Sequence, residues 1–316
     1  MRTGTTELSQ ELERRSVMRG AMWEDLAQLS VIRPWPELRH RFIDGIQQEF
    51  AKWINPSQPH FAEQLLFAVG RFDEGAGIAR FLALNGYADT SLRVIDIGAG
   101  NGGVAFALAN WTNCEMHTLD IVPNAELASL RRVLDSPVHA TVAVGQKIPM
   151  TDESFDVVLL LDTLEHVARP RELAAEIMRI LRPGGFCMIT TPPRIRHLLS
   201  PDPHYGIRGL VLFPNAVQRW IVNSLYKRRV MNAQGVAAPA YDVEHIYWHV
   251  REIARLFPSP ATIDVLFNRT YRPVPFLSRA TLKRPMSIME LIGYHLREWS
   301  WDRVLIRKPL VRRESE

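Results

Sequence analysis

The sequence predicts an α/β fold built on a doubly wound, mainly parallel sheet, preceded by a helical extension. Three observations carry this. Short apolar strands alternate with helices from residue 93 onward, as crossover-connected parallel sheets do. The first strand runs straight into a glycine-rich turn and an apolar helix. The region before residue 85 shows helical apolar spacing instead.

In the extension, Leu8, Leu12, Val17, Met22, Leu26 and Leu29 recur at roughly helical intervals, and Pro34 and Pro36 interrupt them. A second helix is expected over His40–Ile54, with Phe42, Ile46, Phe50 and Trp53 on one face. A third is expected over Phe61–Phe67 and a fourth over Ile78–Leu84, ended by Asn85-Gly86. The division that follows is residues 1–85 as the extension and 86–316 as the main domain, with a substrate-binding insertion at about 192–260.

In the main domain, Arg93–Ile97 reads as strand one, Glu115–Leu119 as strand two, Asn124–Leu134 as a helix and Val138–Val144 as strand three. Phe155–Leu161 is apolar apart from Asp156, as a strand covered on both faces is. Pro170–Leu181 is a helix with proline in its first turn. Pro183-Gly184-Gly185 turns the chain into strand five, Phe186–Thr190. Beyond it, Asn215–Lys227 and Val250–Phe257 read as helices, Ala261–Phe267 as a strand, Ser287–Trp299 as a helix and Asp302–Ile306 as a last strand.

Composition bounds the function. With 316 residues, 47% of them hydrophobic and 23% charged, a globular core is expected. Cys114 and Cys187 read as buried packing residues, and two cysteines do not make a disulfide framework. No secretory leader and no span-length apolar run is read, so a cytoplasmic location is expected, with peripheral membrane contact left open. A net charge of +4 does not demand a nucleic-acid partner.

The chemistry gathers at Val94-Ile-Asp-Ile-Gly-Ala-Gly-Asn-Gly-Gly103. A chain that leaves a strand and turns sharply into a helix beneath a ligand needs glycine, because a side chain would obstruct the approach. Gly98, Gly100 and Gly103 satisfy the dinucleotide spacing, and Asp120 ends the next strand where a ribose-binding acid belongs. Asp96 sits two residues before Gly98. A carboxylate there repels a pyrophosphate and suits a ligand carrying an ammonium group, but it also suits a turn-stabilising role. Spacing leaves the two readings even.

Four blocks bring a family into view: Asp96-Ile-Gly-Ala-Gly-Asn-Gly102, Leu119-Asp120, Ile148 to Val158, and Leu164-Glu-His-Val167 followed by Leu181-Arg-Pro-Gly-Gly185. In this order the chain resembles the class I S-adenosylmethionine-dependent methyltransferases, in the group that includes ubiquinone/menaquinone and small-molecule methyltransferases. The resemblance runs from about Leu92 to Pro192. It implies a seven-stranded, mainly parallel sheet with one reversed strand near its edge, and S-adenosyl-L-methionine as cofactor. It further implies that Gly98, Ala99, Gly100, Asn101 and Gly102 lie under the cofactor, that Asp96 faces its amino group, and that Asp120 accepts from the ribose hydroxyls. Ile121 would pack on the adenine. Gly145-Gln146 stands where the family often has an aspartate, with Gln146 and Lys147 as cofactor-binding candidates, and Asp162 and Thr163 would border the transfer site. No metal is expected.

Methyl transfer from a sulfonium needs alignment and exclusion of water, with a general base only for a protonated acceptor. His166, His204 and His245 are the candidates for that base. The acceptor is expected to be a small molecule, a carbohydrate or a lipid-linked compound, methylated at oxygen. The motifs of nucleic-acid amino-group methylation are missing after strand four. From Arg194 to Val230 there are seven Arg or Lys residues and one acid, Asp202. The 215–229 stretch can lie on a membrane with Val217, Trp220, Ile221 and Leu225 inward, although an apolar stripe facing the protein core is the commoner arrangement. Asp202-Pro-His-Tyr-Gly206 resembles substrate-loop segments of bacterial methyltransferases linked to surface carbohydrates. A nicotinamide oxidoreductase and a non-catalytic binding module are the competing readings.

Overall fold

The structure is a computed structural model. It describes residues 26–88, 90–194, 198, 201–202, 204–226, 243, 246–247, 249–258, 261–266, 274–275 and 303–310. The expected helices over residues 8–25 and 287–299 lie outside the described residues. Contacts divide the chain into two compact units, residues 1–150 with 154–159, and residues 151–153 with 160–316.

The first unit begins with helix α1, Trp35–Ala51, which starts at Pro34 and carries a proline in its first turn. The fixed φ of proline suits the start of a helix, so these prolines begin the helix as well as ending what precedes it. α1 buries Trp35, Leu38, Phe42, Ile46 and Phe50. Trp53, expected on that face, lies past the helix end and is 74% exposed. Helix α2, Pro59–Leu82, unites two stretches expected as separate helices. Gly75 lies inside it because the helix at Gly103–Ala109 approaches closely: a β-carbon there would stand 2.6 Å from the Val104 carbonyl oxygen. A π-turn at Ala83–Tyr87 closes the helix where Asn85 and Gly86 leave helical geometry, at the expected place. The buried Arg39 guanidinium joins α1 to α2 by donating to both carboxylate oxygens of Asp73, at 2.8 and 3.2 Å. Phe42 stacks on Phe72 beside it, with ring centroids 5.0 Å apart.

Strand β1, Leu92–Ile97, lies between β2, Cys114–Asp120, and β4, Phe155–Leu161, and is parallel to both; β3, His139–Val142, pairs parallel with β2. Ile97 aligns with Leu119, and Asp120 with Val142. Parallel register therefore delivers the ends of β1, β2 and β3 to one edge. Helix α3, Gly103–Ala109, is buried along its whole length and packs on α2. Gly103 is required by that contact, since a β-carbon would meet the Phe72 amide nitrogen at 2.9 Å. Helix α4, Ala125–Leu134, is capped by the Asn124 side chain, which accepts from the Leu127 amide at 2.8 Å.

In the second unit the end of β4 leads through a 3-10 turn, Leu164–His166, to helix α5, Pro170–Ile180, and strand β5, Leu181–Thr190. The expected turn at Pro183-Gly184-Gly185 falls inside β5, where Gly184 takes a φ of +83°. Strand β8, Arg303–Arg307, runs antiparallel to β5 and to β6, Thr262–Leu266. This is the reversed strand the resemblance implied. The two-residue β7, Val274–Pro275, pairs with β6 and makes eight described strands against seven expected; a pairing so short carries no apolar pattern to read. A separate core gathers Tyr205, Leu210, Val222 and Val243. The expected helix at 215–227 is helix α6, Asn215–Trp220, followed by a π-helical turn, Ile221–Tyr226, and Val250–Ala254 forms helix α7. The molecule is an α/β protein on a mainly parallel sheet of the expected class.

Candidate functional site

In the first unit, Gly98, Gly100 and Gly102 all take positive φ, at +78°, +54° and +81°. The left-handed region is open to glycine at no steric cost. A β-carbon at Gly100 would meet nothing within 4 Å, so the space over the turn is open. At Gly102 the same atom would press on Leu127 and Phe106 at 2.9 Å. The turn is tied down internally: Gly98 donates to the Leu119 carbonyl at 2.7 Å, Gly102 donates to the Ala99 carbonyl at 3.0 Å, and the Asn101 side chain accepts from the Gly103 amide at 3.2 Å.

Two carboxylates flank this turn. Asp96 is 2% exposed near the end of β1. Burial pushes its carboxyl up to about 7, the Arg71 guanidinium of α2 opposes that rise, and Glu74 and Asp120 add to it. Asp120, at the end of β2, accepts from the Gly100 amide on Oδ2 at 3.1 Å and from the Ile121 amide on Oδ1 at 2.7 Å. Each oxygen keeps a further lone pair for a hydroxyl donor. Ile121 follows with its side chain 68% exposed, an apolar surface beside the carboxylate. Gln146 and Lys147 lie in the turn after β3, at the same edge. The structure thus gathers Asp96, the five turn residues, Asp120, Ile121, Gln146 and Lys147 at one strand edge.

The second unit holds the remaining expected residues. Asp162 follows β4 with φ +49° and is locked to the end of β5: its amide donates to Thr190, and the Thr190 hydroxyl donates to Asp162 Oδ1 at 3.0 Å. The Thr163 hydroxyl donates to the Leu161 carbonyl at 3.1 Å. His166 and His204 come together, their rings edge to face with centroids 5.3 Å apart. His204 is held by Asp202, whose Oδ1 accepts from the amides of His204 and Tyr205 at 3.0 and 2.9 Å. His204 Nε2 lies 3.8 Å from Glu165 Oε1. Burial, reinforced by the charges of Glu165 and Glu252, pushes the Tyr247 hydroxyl upward. His245 lies outside the described residues.

Sequence reasoning missed Arg71 and Glu74, whose charges act on Asp96. No motif marks them, and only the seating of α2 against α3 brings them to the turn. Nor does any motif announce that the Glu165 side chain is buried. Of the expected apolar stripe, Ile221 packs against the core of Tyr205, Leu210, Val222 and Val243, while the rest faces outward. Trp220 is 58% exposed and Val217, Leu225, Leu212 and Phe213 are exposed, while Gln218 and Val222 are fully buried. The polar Gln218 goes inward because its amide donates to the Phe213 carbonyl at 2.7 Å.

The buried Asp96 near the end of β1 and Asp120 at the end of β2 thus flank an open glycine turn. Residues 95–189 match the methyltransferase domain family, so this part of the chain is a methyltransferase domain. Among its relatives, a dimethylglycine N-methyltransferase of Parasynechococcus marenigrum is 32% identical over 32% of this chain and 37% of its own length. A ubiquinone/menaquinone biosynthesis C-methyltransferase of Dinoroseobacter shibae is 31% identical over 31% of this chain and 41% of its own. The chain thus spans less than half the length of these curated relatives. Among solved structures, a putative S-adenosyl-L-methionine-dependent methyltransferase from Methanococcus maripaludis aligns with a TM-score of 0.41 at 15% identity, over 76% of this chain and 87% of that one. The cofactor implied is S-adenosylmethionine. The residues at the edge fit it: the turn leaves space over Gly100, and the flanking groups are acids, suited to a cationic, phosphate-free nucleoside.

Proposed function

We propose that the chain is an S-adenosylmethionine-dependent methyltransferase acting on a small-molecule, carbohydrate or lipid-linked acceptor, with transfer to oxygen. The observation that carries the reading is the open turn at Gly100 between the buried Asp96 and Asp120. In this reading Asp96 faces the cofactor's ammonium, Asp120 accepts from its ribose, Ile121 covers the adenine with Gln146 and Lys147 nearby, and Asp162 and Thr163 border the acceptor. The bound cofactor supplies an activated methyl group. The chain's task is to align the acceptor with it and keep water away, which contributes several kcal/mol without a covalent enzyme intermediate. His166 and His204 manage the acceptor's proton, and a hydroxyl is the acceptor that needs such help. The layout of an extension at 1–85 and an insertion at about 192–260 belongs to the same proposal.

Labelled methyl from S-adenosylmethionine, supplied with sugar, lipid, quinone and amine fractions of a cell extract, tests this. Incorporation into a hydroxylated fraction, lost in Asp120→Ala, is expected. Cofactor binding with no transfer to any fraction would favour the non-catalytic module instead.

Peripheral membrane contact is supported by the exposed Leu212, Phe213, Val217, Trp220 and Leu225. The sequence from 203 to 241 holds five basic residues and no acid. Apolar and aromatic groups beside basic ones suit an anionic lipid surface. No helix among the described residues is long and apolar enough to cross a membrane. Co-sedimentation with phosphatidylglycerol vesicles, reduced in Trp220→Ser, is the expected result; equal sedimentation of the two proteins would refute the contact.

A further inference from the structure

We propose that Glu165, His166 and His204 form a binding site for one divalent transition-metal ion. One ligand atom from each residue falls within 4.8 Å of the others. Two imidazole nitrogens and one carboxylate oxygen are the donor set that such ions prefer over magnesium or calcium. Metal–ligand lengths of about 2.0–2.2 Å require only a closing of roughly 1 Å by the three side chains.

The independent observation is Glu165 itself. It is 1% exposed, and neither carboxylate oxygen has a hydrogen-bond partner among the described residues. A buried carboxylate without compensation is costly, and a cation coordinated to it removes that cost. The His204 imidazole faces it, with Nε2 3.8 Å from Oε1. Its other nitrogen, Nδ1, lies 4.0 Å from Asp202 Oδ1. Asp202 is 3% exposed and anchored by the amides it accepts from. At 4.0 Å the Nδ1–Oδ1 separation is beyond hydrogen-bond distance, so the bond to an outer carboxylate that orients metal-binding histidines would form only as the ion is bound.

A second trio, Glu115, His117 and His139, also has donors close together. It is less suited. Glu115 Oε1 already accepts from Arg93 Nε at 3.2 Å, which brings a guanidinium charge to the site. The two imidazoles lie stacked, centroids 4.7 Å apart, instead of converging on a point. This trio serves as an internal control.

Three protein ligands leave a coordination position for an acceptor oxygen. With the ion bound, His166 and His204 would act on the acceptor through it and not as bases: a hydroxyl held there would lose its proton to solvent more readily, its electron pair forming the carbon–oxygen bond as the carbon–sulfur bond breaks. That use rests on the methyl-transfer reading, whereas the metal site rests on the three side chains alone.

Full-length chain stripped by chelator is titrated with Co²⁺ by visible absorption and with Zn²⁺ by calorimetry. One ion per chain is expected. Glu165→Gln and His204→Ala should each weaken binding by at least about 10-fold, the scale seen when even an outer hydrogen-bond partner is lost, while His139→Ala leaves it unchanged. In the wild-type chain, Zn²⁺ should shift the imidazole resonances of both His166 and His204, which keeps the test decisive where a variant misfolds. Absence of saturable binding, binding abolished by His139→Ala, or unmoved His166 and His204 resonances would overturn the site. Metal binding without methyl transfer would leave the site standing and fail the methyltransferase reading. Full transfer by a chain that binds no metal would do the reverse.

Discussion

Affinity for S-adenosylmethionine should fall as pH drops from 8.5 to 5.5, because Asp96 must be charged to meet an ammonium group. Burial holds this carboxyl at about 7, against an ordinary value of 3.8. At pH 5.5 only about 3% of Asp96 is then ionised in the free protein, so the dissociation constant should rise about 30-fold between pH 8.5 and 5.5. The same gap fixes the sign for stability. The folded value lies above the unfolded one, so this group's contribution is fully present below pH 3.8 and is lost as pH rises through about 7. At about 1.4 kcal/mol for each pH unit, the charged folded form is disfavoured by about 4 kcal/mol, and a cationic ligand offsets part of that. The assay is calorimetric titration with S-adenosylmethionine and S-adenosylhomocysteine across this range, with Asp96→Asn in parallel. The variant should bind at the weak, low-pH level throughout. A flat wild-type profile, or an unaltered slope in Asp96→Asn, would refute the assignment of Asp96 to the ammonium group.

Three further outcomes follow from the turn and its supports. Asp120→Ala should weaken cofactor binding by ~1–3 kcal/mol, the scale for hydrogen bonds to a charged acceptor, and an unchanged dissociation constant would remove Asp120 from the ribose. Gly100→Val should abolish cofactor binding, because its β-carbon enters the open space over the turn and its φ of +54° is strained for a branched residue; retained affinity would show that no ligand enters there. Gly103→Ala should destabilise the chain by ~1–3 kcal/mol in urea unfolding, since its β-carbon meets backbone atoms of α2 at 2.9 and 3.0 Å, and an unchanged midpoint would mean that α2 is not packed on α3 as described.

What the sequence disclosed follows from the range of each interaction. Leu92–Ile97 and Phe155–Leu161 are short apolar runs whose pattern is local, and both stand where expected. The glycine turn was legible because its backbone geometry demands particular residues in order. Less was legible where a residue's role depends on a distant partner. Gly75 inside α2 gives no local sign that α3 will lie against it, and Arg71 reaches Asp96 only through that packing. The stripe at 215–225 divides, because Gln218 finds a backbone acceptor and turns inward while Ile221 packs on the core and Trp220 stays outside. Glu165 and His204 are 39 positions apart, and nothing in the chain text announces their approach.

Which nucleoside the glycine turn accepts decides the chemistry of the site. Parallel calorimetric titrations of the full chain with S-adenosylmethionine and with the oxidised and reduced nicotinamide dinucleotides measure this directly. Saturable one-to-one binding of S-adenosylmethionine, lost in Gly100→Val, with no heat from either dinucleotide, is the predicted result. Tight binding of a dinucleotide with none of S-adenosylmethionine would contradict it.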